Sequence, residues 1–171
     1  HVYYSPRIHD RFRDTHLFVT VLREPTSRFL SHYFYSSKST SHDRIELSLE
    51  QAVETLGPKW GVTQVAYFAD AGANLKPTSA AALERATQNV ARLDVVGLVE
   101  DLPAFAREVG RSLETPLFLQ HANRSPAKRR PGDSVPARLM DKIRELCQPD
   151  IELYEYARGL KASRRHALSG D

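Results

Sequence analysis

The chain has 171 residues, of which 41% are hydrophobic and 26% are charged. This composition is typical of one soluble globular domain and excludes a disordered, collagen-like or fibrous protein. The single cysteine excludes an internal disulfide and a two-cysteine metal knuckle. No apolar run is long enough for a membrane span, and the first residues lack the layout of a signal peptide.

The formal net charge of +3 is unevenly distributed along the chain. Residues 1–44 carry a net charge of +3, residues 45–120 carry −4 and residues 121–171 carry +4, and 18 of the 24 cationic side chains are arginine. Arginine suits phosphate and sulfate because its planar guanidinium donates parallel hydrogen bonds and keeps its charge. If the two basic ends meet in space, they form an anion site. A GC-rich coding sequence is the alternative explanation for the arginine content.

Strands alternate with helices in the predicted chain order. The pattern predicts a buried central strand over residues 17–22, a helix from Pro25 through Tyr33, a polar surface loop over 36–48, a short helix over 49–56 that stops at Gly57 and Pro58, a helix over 78–92 and a buried strand over 94–99. It continues with a helix over 102–113, a short strand at 117–119, a basic loop over 120–134, a helix starting near 134–136 and a helix over about 149–159. This order predicts an α/β fold with a parallel sheet flanked by helices, in a single domain over residues 1–171. Cys147 is expected to be a buried helix thiol.

The most specific motif is LREPTSRFLSHY, at residues 22–33. Arg23 ends the predicted strand and Pro25 opens the helix, while Arg28 and Ser31 lie three residues apart on one helical face. Ligands bind at the carboxyl ends of parallel strands, and anions favour helix N-termini. Arg23, Arg28 and Ser31 are therefore candidate ligands of a phosphate group. A surface helix with chance arginines is the alternative.

This motif resembles the 3′-phosphate-binding motif of the sulfotransferases that use 3′-phosphoadenosine 5′-phosphosulfate (PAPS), in the carbohydrate family that includes the heparan sulfate 2-O-sulfotransferases. Further along, residues 95–105 resemble the family's second strand-to-helix segment, residues 123–128 its late basic loop and residues 150–157 its final helix. The resemblance implies the P-loop-type sulfotransferase fold, PAPS as the donor and no required metal. It also implies that the family's first βα unit, with its 5′-phosphosulfate loop, lies upstream of His1, so that the chain is N-terminally incomplete.

The resemblance also implies roles for individual residues. The donor-binding residues that it implies are Arg23, Arg28, Ser31, Arg124, Ser125 and Lys128. His1 matches the histidine of the family's GHxxY segment and would be the base that deprotonates the acceptor hydroxyl, a task that suits an imidazole titrating near neutrality. A tag remnant or a frayed end is the alternative for His1.

Residues 57–68 resemble the stretch that shapes the acceptor cleft in relatives. Trp60 and Tyr67 are candidate sugar-stacking residues, with packing as the alternative for both, and Lys59 is a candidate partner of an acceptor carboxylate or sulfate. The loop after the first predicted helix offers serines, Lys38 and Arg44 where relatives that bind polyanionic glycans place several arginines. This difference from the relatives argues against a strongly sulfated polymer as the acceptor.

The favoured interpretation is transfer of a sulfuryl group from PAPS to an acceptor hydroxyl of a carbohydrate. It places this reaction in the bacterial cytoplasm rather than the Golgi lumen and includes no nucleic-acid partner. One rival is a noncatalytic module that binds nucleic acid or another polyanion through the basic ends. Its candidate clusters are Arg129 with Arg130 and residues 164–166, which the acidic middle of the chain opposes. Another rival keeps the donor site but has no turnover.

Overall fold

The computed structural model describes residues 3–39, 44–70, 74–118 and 135–169, with side chains described up to Arg164. The helices are α1 (Pro6–Phe12), α2 (Pro25–Lys38), α3 (Leu49–Thr55), α4 (Gly57–Trp60), α5 (Thr63–Phe68), α6 (Ala80–Ala91), α7 (Leu102–Ser112), α8 (Ala137–Leu146) and α9 (Gln148–Ser169). The strands are β1 (Val19–Leu22) and β2 (Val95–Leu98), and a 3-10 turn over Val99–Asp101 leads from β2 into α7. The fold class is therefore α/β, as predicted, and it is mostly helical.

The two strands pair in parallel, with Val19 opposite Val95 and Leu22 opposite Leu98. All four residues of β2 are buried, which confirms the prediction of a buried strand. In β1, by contrast, Val19 is 41% exposed, and β2 is the only strand that pairs with β1 in the described part of the chain. β1 is therefore an edge strand there, not the central strand that its unbroken apolar run predicted.

Backbone direction shows which groups lie on the open edge of β1. The Phe18 carbonyl accepts hydrogen bonds from the N–H groups of Asp94 (2.9 Å) and Val95 (3.3 Å). The backbone carbonyl of Phe18 therefore points toward β2. The backbone N–H and C=O groups of successive residues in a strand point in opposite directions. Those of Val19 and Val21 therefore point away from β2, toward the open edge of β1.

Two hydrophobic clusters form the core. The first lies between the sheet, α5, α6 and α9, and its buried members include Leu22, Val65, Ala86, Val90, Val96 and Leu153. The second lies between α2, α3 and α8, and its buried members are Phe29, Leu30, Val53, Ile143 and Cys147. Cys147 is buried, as predicted, but it lies between α8 and α9, at the C-cap of α8, and not within a helix.

Several helix boundaries differ from the prediction. α2 continues to Lys38, into the predicted loop, and α9 continues past Gly159 to Ser169. Gly57 and Pro58 open the short helix α4 as well as following α3, because proline is compatible with the first turn of a helix. α1 and α5 have no counterpart in the prediction.

The predicted strand at residues 117–119 was wrong where the structure describes it. Leu117 is 40% exposed and Phe118 is 89% exposed, and both lie outside any strand, while Leu119 falls outside the described residues. The described residues form no strand beside them for such a segment to pair with.

Within the described ranges, no helix combines the length and apolar character that crossing a membrane requires.

Candidate functional site

A cavity of about 460 Å³ follows the open edge of β1, and we call it the β1 cavity. Residues 18–23 line it along the strand, and so do residues 3–5 with Ile8 and the segment that carries Gln64, Tyr67 and Phe68. These last two segments are in contact, since the Tyr4 N–H donates to the Tyr67 carbonyl (2.9 Å). Arg28 and Leu93 complete the lining. The cavity therefore combines a largely apolar and aromatic surface with two arginines.

Arg23 directly follows the last residue of β1, and Glu24 alone separates it from the first residue of α2. The half-buried side chain of Arg23 lines the β1 cavity. The Gln64 side-chain amide donates a hydrogen bond from Nε2 to the Arg23 carbonyl (3.0 Å). Among the described residues, no ion pair or hydrogen bond engages the Arg23 guanidinium. This guanidinium is therefore available to an anion that enters the cavity.

Arg28 lines the same cavity, as the motif predicted for a pair of converging arginines, but its guanidinium already has partners. It donates from Nη2 to the Trp60 carbonyl and lies 3.5 Å from Oδ2 of Asp150. The side chain is 19% exposed, and its buried Nε has no hydrogen-bond partner among the described residues. Arg28 is thus committed largely to an internal ion pair.

Ser31, the third residue of the predicted phosphate site, is half-buried on α2 and does not line the β1 cavity. The structure therefore brings Arg23 and Arg28 to one cavity but does not bring Ser31 there. A spacing of three residues along a helix places Arg28 and Ser31 on one face, but it does not determine which wall of a cavity that face forms.

The N-terminus of α2 was predicted to receive the phosphate, but a carboxylate of the chain itself occupies it. Glu24 accepts hydrogen bonds from the N–H groups of Thr26 (2.9 Å) and Ser27 (2.7 Å) and from the Thr26 hydroxyl (2.6 Å). Burial opposes the charge of Glu24, but the hydrogen bonds from Thr26 and Ser27 outweigh burial and lower its pKa. An anion at Arg23 therefore gains little from the N–H groups of this helix.

Acidic and phenolic groups also lie at the carboxyl end of β2. Tyr154 donates from its hydroxyl to Oε2 of Glu100 (2.9 Å), and the Glu24 N–H donates to Oε1 of Glu100 (3.4 Å). Burial, together with the hydrogen bond to Glu100 and its charge, raises the pKa of the Tyr154 phenol. Tyr154 therefore stays protonated at neutral pH and holds Glu100 as an acceptor.

The predicted acceptor residues fall in different environments. Tyr67 lines the β1 cavity and packs edge-on against Tyr3, with ring centroids 5.1 Å apart. Trp60 packs against Phe29 (5.5 Å) and His32 (4.5 Å), which favours the packing alternative for this tryptophan. Lys59 is exposed on α4 and does not line the cavity.

The remaining predicted site residues are His1, Arg124, Ser125 and Lys128, and all four lie outside the described residues, as do Arg129 and Arg130. Arg164, from the other basic cluster, donates to the carbonyl groups of Ala91 (2.9 Å), Leu93 (2.9 Å) and Asp94 (3.3 Å). Its guanidinium therefore binds the end of α6, which counts against a role in holding a polyanion.

Gln64 and Asp150 were given no role in the donor site from the sequence, although Asp150 opens the segment that resembles the family's final helix. Asp150 has no exposed surface, and its two carboxylate oxygens accept hydrogen bonds from the N–H groups of Gln64 and Val65 (2.8 Å each) at the start of α5. Burial raises the pKa of Asp150 to about 6 and outweighs these hydrogen bonds and the nearby Arg28. No local signal could have shown these contacts, since the partners lie far apart in the chain.

In the described ranges, no group of three or more His, Cys, Asp or Glu side chains is placed to hold a metal ion.

No family model, no curated protein and no solved structure gives a significant match to this chain.

Proposed function

We propose that this protein is a PAPS-dependent sulfotransferase and that Arg23 binds the 3′-phosphate of the donor. The observation that carries the proposal is the position of Arg23. It follows a parallel strand directly, precedes a helix and presents a guanidinium that no described residue engages to a cavity of about 460 Å³. An arginine that lies at the carboxyl end of a parallel strand and lines a cavity without a protein partner is suited to bind a phosphate ester. The motif at residues 22–33 adds the resemblance to the donor site of these enzymes.

In this proposal the acceptor oxygen attacks the donor sulfur as the bond from sulfur to the 5′-phosphate oxygen breaks. The products are the sulfated acceptor and 3′-phosphoadenosine 5′-phosphate (PAP), and the acceptor proton passes to a base, the role proposed for His1. Such a transfer depends mainly on positioning and on compensation of charge. Arg23 compensates the charge of the 3′-phosphate, at the end of the donor remote from sulfur. It also contributes to positioning, because binding energy at the 3′-phosphate helps to fix the reacting end of the donor.

The other side chains of the cavity have supporting roles. Tyr67 and Tyr3 offer aromatic surface to a sugar or to the adenine base. Arg28, which is paired with Asp150, supports this end of the cavity instead of serving as a second full ligand of the phosphate. A carbohydrate remains the acceptor class that we propose.

The proposal is tested by titration calorimetry with PAP. We expect Arg23→Ala to weaken PAP binding by about 2 to 3 kcal/mol, or about 30- to 150-fold, because a charge-assisted interaction with the phosphate is lost. Arg85→Ala, at an exposed position on α6 away from the cavity, is the matched control and should bind PAP as the unmodified protein does.

Equal affinity of the unmodified protein and the Arg23→Ala variant for PAP would overturn the proposed donor site. If PAP binds as expected, incubation with radiolabelled PAPS and a panel of carbohydrate acceptors tests turnover. Transfer of label supports the enzyme. Binding without transfer to any acceptor supports the rival in which the donor site has no turnover.

A further inference from the structure

The buried carboxylate of Asp150 connects three helices. It lies near the start of α9, accepts two N–H groups from the first turn of α5 and is 3.5 Å from the guanidinium of Arg28 on α2. A fully buried carboxylate needs several such partners, because its desolvation is costly. Asp150 therefore holds α5 and α2 in a fixed relation to each other.

Gln64 extends this arrangement to the β1 cavity. Its backbone N–H is bound to Asp150, while its side-chain amide donates to the Arg23 carbonyl (3.0 Å). The Arg23 carbonyl belongs to the open edge of β1, which has no second strand in the described residues. The Gln64 amide therefore takes the place of a strand partner at the position where the Arg23 side chain begins.

We infer that Asp150 is a positioning residue for Arg23 and acts through Gln64. The carboxylate fixes the first turn of α5, the Gln64 amide fixes the end of β1, and Arg23 is thereby aimed at the 3′-phosphate of the donor. This inference rests on the proposed function of Arg23. It extends that proposal to Asp150, which does not line the cavity, and to Gln64, which lines it and binds the Arg23 carbonyl.

A positioning role differs from a purely structural role in what it does to selectivity. Loss of packing or of a buried ion pair lowers the free energy of unfolding. Once the variant is folded, such a loss need not change the preference between two ligands that differ only in the 3′-phosphate. Misplacement of Arg23 weakens binding of PAP specifically and leaves binding of adenosine 5′-phosphate (AMP), which lacks the 3′-phosphate, nearly unchanged.

The experiment measures the ratio of PAP affinity to AMP affinity by calorimetry, with thermal unfolding to verify that each variant is folded. We expect Gln64→Leu and Asp150→Asn each to lower this ratio by about two- to tenfold, the usual effect of one hydrogen bond. Gln88→Leu and Asp141→Asn, at exposed positions on α6 and α8, are the matched controls and should keep the ratio. If Asp150→Asn fails to fold, Gln64→Leu decides, because it leaves the carboxylate in place.

A double variant tests whether Gln64 acts through Arg23. We expect Arg23→Ala with Gln64→Leu to have the same ratio as Arg23→Ala alone, because the amide can no longer aim a missing guanidinium. A ratio that is unchanged in folded Gln64→Leu or in folded Asp150→Asn, or a further loss in the double variant, overturns the inference and leaves the donor site intact. If the unmodified protein itself does not prefer PAP over AMP, the proposed donor site fails, and the inference fails with it.

Discussion

At the scale of single residues, the two arginines of the motif have different roles. Arg28 is 19% exposed and has Asp150 and the Trp60 carbonyl as partners, whereas no described residue engages the guanidinium of Arg23. Arginine pairs in a sequence motif look equivalent, because their chemistry is the same. The difference arises from tertiary contacts, which place one guanidinium against a buried carboxylate and leave the other at a cavity.

The buried Asp150 also gives a stability that depends on pH. Its pKa is raised by burial to about 6, above an ordinary value of about 3.8, so the folded state favours the protonated form. The contribution of this group to the free energy of unfolding is therefore full below about pH 4 and is lost as the pH rises through about 6. The loss amounts to about 3 kcal/mol for a shift of about two pH units.

We therefore expect the difference in unfolding free energy between the unmodified protein and Asp150→Asn to change with pH. Denaturant unfolding should show the unmodified protein losing about 2 kcal/mol relative to the variant between about pH 4 and pH 6, which is most of the full loss. Other groups, including Glu24, titrate in both proteins and cancel in the difference. A constant difference over this range would show that Asp150 is charged in the folded protein throughout, with Arg28 and the two N–H groups outweighing burial.

At the scale of secondary structure elements, local sequence patterns predicted β1, α2, α3, α6, β2, α7, α8 and the first half of α9, together with the parallel α/β class. The predicted elements have strong hydrophobic periodicity or a proline at a helix start, signals that depend on neighbouring residues alone. Such signals could not predict three features of the structure: the exposure of Val19, the continuation of α9 past Gly159 and the position of Ser31 away from the cavity. Each depends on which distant element packs against the residue, and sequence periodicity does not contain that information.

Two glycines illustrate how packing decides the effect of a substitution. A Cβ at Gly61, between α4 and α5, would meet the backbone carbonyl at the end of α8, 2.6 Å from the carbonyl carbon of Leu146. At Gly159, within α9, no atom lies within 4 Å of the corresponding position. The first glycine allows a close approach of backbones, whereas the second only weakens its helix.

We expect Gly61→Ala to lower the free energy of unfolding by about 1 to 3 kcal/mol, since backbone atoms must move to admit the methyl group. Gly159→Ala is the matched control and should raise the free energy by about 0.5 to 1 kcal/mol through higher helix propensity. Thermal and denaturant unfolding of both variants check these values. Stabilisation by Gly61→Ala would show that α4 and α8 are not in close contact.

At the scale of the whole molecule, the β1 cavity and the single thiol belong to different hydrophobic clusters. Leu22 is a buried member of the first cluster, and the partly buried Tyr4, Phe18 and Phe68 pack against it; all four residues also line the cavity. Cys147 lies in the second cluster with Phe29 and Ile143. The pair formed by Arg28 and Asp150 lies close to both, since Arg28 lines the cavity and the charges of both groups act on the Cys147 thiol. The two clusters are therefore expected to unfold together.

Alkylation of Cys147 measures this coupling. The thiol is fully buried, and burial raises its pKa to about 12, so it should react only when the protein unfolds. A ligand at 100 times its Kd stabilises the native state by about 2.7 kcal/mol and should slow alkylation about 100-fold, provided that unfolding is one cooperative step and reclosing is fast. We therefore expect PAP, bound in the β1 cavity beside the first cluster, to protect the thiol in the second.

The control for this protection is Arg23→Ala at the same PAP concentration, which should lose most of it because its affinity for PAP is lower. Alkylation in the absence of PAP gives the unfolding equilibrium of each protein and corrects for any change in stability. Unchanged alkylation at a PAP concentration that saturates the site by calorimetry would show that the cluster around Cys147 opens without the cluster that carries the cavity. In that case the ion pair of Arg28 and Asp150 does not couple the two halves of the core.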